Sequence, residues 1–437
     1  MYIPHGQEDT KKAFNLLGIS SFEELYSHID PTLLVKPDIR QDPLSEEEIR
    51  RFFKELEGKN RSLVCFAGFG AYDRIVPSVI WQILNRGEFL TSYTPYQPEA
   101  SQGTLQAIFE YQTLICELTG MDVANASVYD GATALSEAIL MVKSAKTNAD
   151  SLLLSEGVNP LYRDVVRTYI TARQDEIDLA PLSKEGTTDL ERLEELLKSK
   201  KVYALAIQQP NFLGYVENVQ EISKIAREYE VPLIVVADPV ALAVLKPPNE
   251  AHVVVGEGQQ LGIPLNFGGP YVGFFATKME YLRRIPGRLV GMGEDVEGKR
   301  AFLLVLQTRE QHIRRERATS NICTNQNLMA IANVIYLSLL GKEGLIEVAK
   351  QSLSKALYLK QKLLELGFEE PYTGKHLWEY PLRHPRIKEL RQKALKAGFL
   401  FGVDLSPFGY RDTILLATTE KRTKQEIDRL VEVLKDG

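Results

Sequence analysis

Between residues 100 and 280 the chain alternates two kinds of hydrophobic pattern. Short runs with no polar alternation, SLLLSE (151–156), VYALAIQ (202–208), VPLIVVAD (231–238), AHVVVG (251–256) and YVGFFAT (271–277), read as strands buried on both faces. Helical spacing fills the intervals. SQGTLQAIFEYQTLICELTG places Leu105, Ile108, Phe109, Gln112 and Ile115 along one side and stops at Gly120. ATALSEAILMVKSAK, LYRDVVRTYITAR, DLERLEELLKSKK and VQEISKIAREYE follow, with Thr188 and Glu191 read as a capping box for the third of these. Strands separated by helices predict an α/β fold whose mostly parallel sheet is covered on both sides.

The ends of the chain read differently. Residues 1–70 form a polar, helix-prone N-terminal arm, in which FEELYSHI and SEEEIRRFFKELEG flank the proline-containing PTLLVKPDIRQDPL. The large α/β domain is expected over 71–330. A smaller α/β C-terminal domain, 331–437, is expected from long helical patterns (NLMAIANVIYLSLL, LIEVAKQSLSKALYLKQKLLEL) followed by FLFGVDLSPF and TILLATTE. Internal repeats and low-complexity tracts are absent from the sequence.

Composition narrows the function classes. With 44 % hydrophobic and 25 % charged residues the sequence is that of an ordinary globular protein. A net charge of −6, from 52 basic and 58 acidic side chains, argues against a dedicated nucleic-acid binder. Cys65, Cys116 and Cys323 lie far apart without a CxxC, which points to a reducing cytoplasm and no disulfide framework. No apolar run reads as a membrane span, and MYIPHGQEDTKK lacks a signal-peptide core. Six histidines without ligand spacing, and no H-E-x-x-H, leave no metal site to expect.

The most informative stretch runs from Asp238 to Thr277. Asp238 closes a buried strand, a position at which pyridoxal-phosphate enzymes of the aminotransferase fold pair an aspartate with the pyridinium nitrogen. Their Schiff-base lysine follows after one more strand and before a Gly-rich turn. This chain has Gly256, Glu257, Gly258, Gln259 and Gln260 there, and Lys278 comes only after the following strand. An amide forms no imine, so Gln259 and Gln260 stand in place of the lysine and the chain should hold no cofactor covalently. VVVGEGQQLG is no dinucleotide fingerprint, because Gly262 comes one residue late and Pro264 blocks the helix that should follow.

Three further segments have two readings each. In YDGATALSEAIL, Thr133 and its neighbours open a helix that could cradle a phosphate or be simply capped; without the lysine, a vestigial pocket with Asp238 is the better reading. TSYTPYQPEASQG (91–103) sets Tyr93, Tyr96, Glu99 and Gln102 around two prolines, either as a preorganised pocket wall or as a rigid surface loop. HIRRERATSNICTNQ (312–326) places Arg314, Arg315 and Arg317 before Thr319 and Ser320, either as an anion site or as a solvated basic face.

YTPYQPEASQGTLQAIFEYQTLICELTGMDVANAS, GEGQQLGIPLNFGGPYVGFFA and RRERATSNICTNQ together resemble the P-protein family of the glycine cleavage system, glycine dehydrogenase (decarboxylating). GQEDTKKAFNLLGISSFEELYSHI extends the resemblance to the N-terminus. The chain is similar to the first of two subunits in the split form of that enzyme. The resemblance implies a type I aminotransferase-like fold and a heterotetrameric enzyme, with pyridoxal 5'-phosphate held by a homologous lysine-bearing second subunit. It also implies decarboxylation of glycine and transfer of the aminomethyl group to the lipoyl arm of H-protein. Tyr93, Tyr96, Glu99 and Gln102 are then expected on the substrate side, and Thr319 and Ser320 near the partner's cofactor phosphate. The competing readings are a pseudo-enzyme that only stabilises or regulates its partner, and a stand-alone pyridoxal-phosphate enzyme such as a cysteine desulfurase or decarboxylase. The absent lysine speaks against the last.

Overall fold

A strand that is apolar at every position must be covered on both faces. The computed structural model, which describes residues 5–35, 43–145, 149–171 and 175–435, meets this with a seven-stranded sheet. After the two-residue β1 (Val64–Cys65), the sheet is built from β2 (Val123–Ala124), β3 (Ser151–Ser155), β4 (Glu176–Ala180), β5 (Val202–Gln209), β6 (Leu233–Ala237), β7 (Val253–Glu257) and β8 (Gly273–Thr277). Their spatial order is β2-β8-β7-β6-β5-β3-β4, and β8 alone runs against the rest. Alternate residues enter opposite cores. Leu205, Ile207, Val254 and Phe274 pack on one side with helices Gln102–Thr119 and Asn327–Leu364. Ala204, Ala206, Val255 and Phe275 pack on the other with helices Gly131–Ala145 and Pro160–Ile170.

Three smaller sheets complete this part. β9 (Val290–Glu294) and β10 (Arg300–Leu304) form an antiparallel hairpin. β11 (Glu379–Arg383), β13 (Val403–Asp404) and β14 (Thr413–Ala417) make an antiparallel sheet in the order β11-β14-β13, and β12 (Phe399–Leu400) pairs in parallel with β1. Trp378, Leu382, Ile414 and Leu416 from this region join the first core. The chain divides into two compact units, Met1–Arg61 and Ser62–Gly437. In the first, helices Gln7–Leu17 and Glu46–Lys59 bury no side chain, and Ser45 and Glu48 cap the second reciprocally.

Some local expectations are corrected. The helix expected from residue 189 spans Leu190–Ser199, and Asp189 caps it by accepting from the Arg192 N–H at 3.1 Å. Thr188 does not cap, because its hydroxyl is 2.8 Å from that of Ser155 and its N–H goes to Glu217. Helix Asn327–Leu364 is long and apolar enough to cross a bilayer by length and composition, which the sequence pattern did not suggest. Gly341 breaks it at φ 58°, and Ala330, Ile331, Ala332 and Tyr336 are buried in the first core, so packing accounts for its apolarity. Residues 36–42, inside the proline-containing connector, lie outside the described residues, as do Lys146 and residues 172–173 at the ends of two expected helices.

The pairing of Val236 with Val255 brings the end of β6 against Gly256. A Cβ on Gly256 would lie 2.2 Å from the Ala237 carbonyl oxygen and 2.4 Å from the Phe274 ring. Neither neighbour is a flexible side-chain end. Gly256→Ala is therefore expected to destabilise the fold by about 1–3 kcal/mol through overpacking, read as a lowered denaturant midpoint. An unchanged midpoint would show that the two strands separate freely.

Candidate functional site

Asp238 sits at the C-terminal end of β6, as the sequence pattern requires, and its carboxylate is spoken for. Oδ1 accepts the N–H groups of Val240 and Ala241 at 2.8 and 3.0 Å, and Oδ2 accepts from Gln260 Nε2 at 2.7 Å. Gln260 Oε1 in turn accepts from Arg74 Nε at 2.8 Å, and Arg74 Nη1 donates to Glu420 at 2.6 Å and to Ser352 at 3.1 Å. The Arg74–Glu420 pair is buried, with side-chain exposures of 1 % and 7 %. Gln260 thus passes hydrogen bonding from a buried ion pair to the aspartate. Lys278 follows the far end of antiparallel β8, where Thr277 pairs with Val253, the start of β7. That is a strand's length, roughly 15 Å, from Asp238.

Gln259 is fully buried and closes a second set of bonds. Its Oε1 accepts from the Tyr72 N–H at 2.9 Å, and its Nε2 donates to the carbonyls of Tyr72 and Ile263 at 3.0 and 2.7 Å. Segment 68–72 is thereby drawn over the end of the sheet. The Phe69 N–H and the Tyr72 hydroxyl both donate to Glu379, each at 2.6 Å, and Asn159 Nδ2 donates to the Phe69 carbonyl at 3.1 Å.

The helix that begins at Gly131 is capped twice from inside the protein. Asp130 accepts the Thr133 N–H at 2.7 Å, and Glu257 accepts the Gly131 N–H at 3.0 Å. The Val272 and Gln259 N–H groups, at 3.2 and 3.0 Å, also converge on Glu257. A helix N-terminus offers unpaired N–H groups to an acceptor, and a Glu257 oxygen takes that place. Burial pushes the Glu257 carboxyl up to about 8 despite these donors. Between Tyr72, Tyr162, Asp238, Glu257 and Gln260 remains a cavity of about 30 Å³, room for about one water. A pyridine ring with its phosphate does not fit: the aspartate, the helix N-terminus and the space between them are all occupied by the chain's own groups.

The remaining expected residues lie apart from this interior. Tyr93 and Tyr96 are 71 % and 48 % exposed, and they meet segment 312–326. The Tyr93 hydroxyl is 2.9 Å from that of Thr324, and the Tyr96 ring is edge-on to His312 at 6.1 Å. Glu99 is exposed on a short 3-10 turn. Gln102 is a structural clamp: Nε2 donates to the carbonyls of Pro98 and Phe302 and Oε1 accepts the Phe302 N–H, tying its helix to β10. Thr319 and Ser320 are half-buried. Ser320 Oγ accepts the Ile322 N–H at 3.1 Å and lies beside buried Glu137, whose carboxyl burial pushes up to about 7. Sequence reasoning missed Arg74, Tyr72, Glu379, Glu137 and Arg288. The only local signal for Arg74 and Glu379 was charge beside apolar runs: the Asp73–Arg74 pair in YDRIVPSVI and a single glutamate in HLWEYPL.

A model of the glycine cleavage system P-protein family matches residues 1–434. A probable glycine dehydrogenase (decarboxylating) subunit 1 of Aquifex aeolicus (strain VF5) is 61 % identical, covering 99 % of this chain and 100 % of that protein. Its namesake in Carboxydothermus hydrogenoformans is 47 % identical over 99 % of both. Among solved structures, an inhibitor-bound glycine decarboxylase (P-protein) of the glycine cleavage system superposes with a TM-score of 0.91 at 40 % identity, covering 100 % of this chain and 99 % of that one. A glutamate decarboxylase of Lactobacillus brevis, 13 % identical with a TM-score of 0.70, shares the fold alone. That fold is the type I fold of pyridoxal-phosphate-dependent enzymes, as expected from the sequence.

The buried carboxyls make stability depend on pH. Burial lifts Glu379 from 4.5 to about 7, against the opposing bonds from Tyr72 and Phe69. The folded state therefore keeps a proton that the unfolded chain releases near 4.5. The Glu379 contribution to stability is fully present below that pH and is lost as pH rises through about 7. Glu379→Gln keeps a group that can hydrogen-bond Tyr72 and removes the titration. It should flatten the decline in stability between pH 5 and 8 by an amount on the order of 3 kcal/mol, measured by denaturant unfolding. The same pH slope in wild type and variant would refute a protonated Glu379.

Proposed function

Because the chain belongs to the glycine cleavage system P-protein family, we propose that it is the lysine-less subunit of a two-subunit glycine dehydrogenase (decarboxylating). In this reading a homologous lysine-bearing partner holds pyridoxal phosphate, which supplies the electron sink for decarboxylating glycine. The aminomethyl group then passes to the lipoyl arm of H-protein. The observation that carries the reading is the closed interior, in which Gln260 caps Asp238 and Glu257 caps the helix at Gly131. A chain so filled serves chemistry next door.

Its own contribution lies on the exposed segments. Tyr93, Tyr96 and Glu99 form a wall on the substrate side. Arg314, Arg315 and Arg317 are exposed and lend positive potential to segment 312–326, where Thr319 and Ser320 approach the partner's cofactor phosphate. Ser320 lies half-buried beside Glu137, so the proposed contact requires its hydroxyl to be directed toward the partner. Fully exposed Phe267 and Val296, with Tyr93, are apolar surface suited to being covered by that partner. The free thiols suit a reducing compartment, which supports a cytoplasmic assembly. The alternative, a chain that only stabilises its partner, draws support from the same closed interior.

Glycine–bicarbonate exchange is expected only when both subunits are mixed. Borohydride fixation of the mixture should label the partner and leave this chain unmodified. Full exchange by the partner alone at matched concentration would favour the stabilising role. Ser320→Ala should weaken cofactor retention about ten- to a hundredfold, through loss of a charge-assisted hydrogen bond on the order of 1.5–3 kcal/mol. Tyr96→Phe and Glu99→Gln should lower turnover with cofactor still bound. Cofactor absorbance and exchange rate on the same preparations separate the two effects.

A further inference from the structure

Arg288 lies at the turn before β9 and is 3 % exposed. No carboxylate among the described residues comes within ion-pair distance of its guanidinium, and its Nε makes no hydrogen bond. The nearest charge balance is longer-range, from buried Glu310, whose carboxyl burial pushes up and Arg288 helps to hold down; a buried guanidinium without a close ion pair depends on its hydrogen bonds. Nη1 donates to Asn325 Oδ1 at 3.2 Å; Nη2 donates to the Tyr96 hydroxyl at 3.2 Å and to the Cys323 carbonyl. The guanidinium carbon also lies 5.4 Å from the centre of the Tyr96 ring. Asn325 is itself fastened to the sheet side, donating to the Ala126 carbonyl at 3.1 Å and the Ser127 hydroxyl at 2.9 Å. One planar fork therefore ties the tyrosine loop, 91–103, to the segment that carries Thr319, Ser320 and Thr324.

We propose that Arg288 is a positioning residue for glycine decarboxylation, fixing Tyr96 relative to residues 319–326 so that both face the partner's active site in one arrangement. The inference rests on the function proposed above. Lysine would keep the charge and lose the fork, since an ammonium cannot address three acceptors on two segments in the same plane.

The test uses the assembled two-subunit enzyme carrying Arg288→Lys, Tyr96→Phe or both. Turnover and KM for glycine are measured beside amide hydrogen exchange of the peptides covering 91–103 and 319–326. Arg288→Lys is expected to speed exchange in both peptides, and to lower kcat about ten- to a hundredfold with KM for glycine little changed, as for a small misplacement of reacting groups. In the Tyr96→Phe background the same change should cost much less, because the tie is already cut at one end. Unchanged exchange in both peptides, or additive losses in the double variant, overturns the positioning role and leaves the proposed function intact. Faster exchange with wild-type turnover in all three variants overturns the proposed contribution of this subunit to the active site, and the positioning role with it. If Arg288→Lys fails to assemble, Tyr96→Phe decides: it sits at the surface, and unchanged exchange in 319–326 counts against the tie.

Discussion

A carboxylate buried at the carboxyl end of a parallel strand needs a donor, and most of the interior described above follows from how Asp238 obtains one. Gln260 donates to it, and the amide is held in place because Arg74 saturates its oxygen. Arg74 is itself affordable in the core only through Glu420 and Ser352, which come from the C-terminal part of the chain. Through Arg74, a single amide therefore links the end of β6 to helix Asn327–Leu364 and to the segment that follows β14. The demand that buried polar groups be satisfied explains why residues distant in sequence converge here, and why the space between them has shrunk to about 30 Å³.

The same logic operates at the helix that starts with Gly131. Its N–H groups attract negative charge whether the source is a ligand or a side chain. Glu257 takes the place because Gly131 has no Cβ: one built there would lie 2.5 Å from the Tyr162 hydroxyl and 3.0 Å from the Glu257 nitrogen. Interior and surface have thus divided their roles. Around Asp238 and Gly131 the interior spends its polar groups on itself, while polar and aromatic groups of segments 91–103 and 312–326 remain exposed on the outside.

Much of the sheet was legible because burial on both faces leaves a signature in consecutive residues: VYALAIQ and VPLIVVAD carry it without help from the rest of the chain. The missing lysine was legible for a similar reason, as a question about a few adjacent positions. Partnerships across the chain were not. Tyr72 meets Glu379 and Arg74 meets Glu420 over more than 300 residues, and no local pattern encodes such a pair. Helix ends failed where tertiary bonds competed, as at Thr188, whose hydroxyl chose Ser155. Gln102 shows how tertiary bonds escape a local reading. Its setting in a stiff polar loop suggested a wall residue, but all its polar atoms are spent on backbone.

The Gln260 bridge also acts as a ratchet. A lysine introduced there would bring an ammonium to within reach of Asp238, but it would take the only acceptor from Arg74 Nε and set two cations side by side in a dry interior. The helix N-terminus would still be filled by Glu257, and Tyr72 would still cover the ring position. Cofactor binding in this interior therefore cannot be built by single steps that each preserve folding; several buried groups have to change together. The constraint lies in the chemistry of the core itself, in bonds that hold the fold together as well as fill the space.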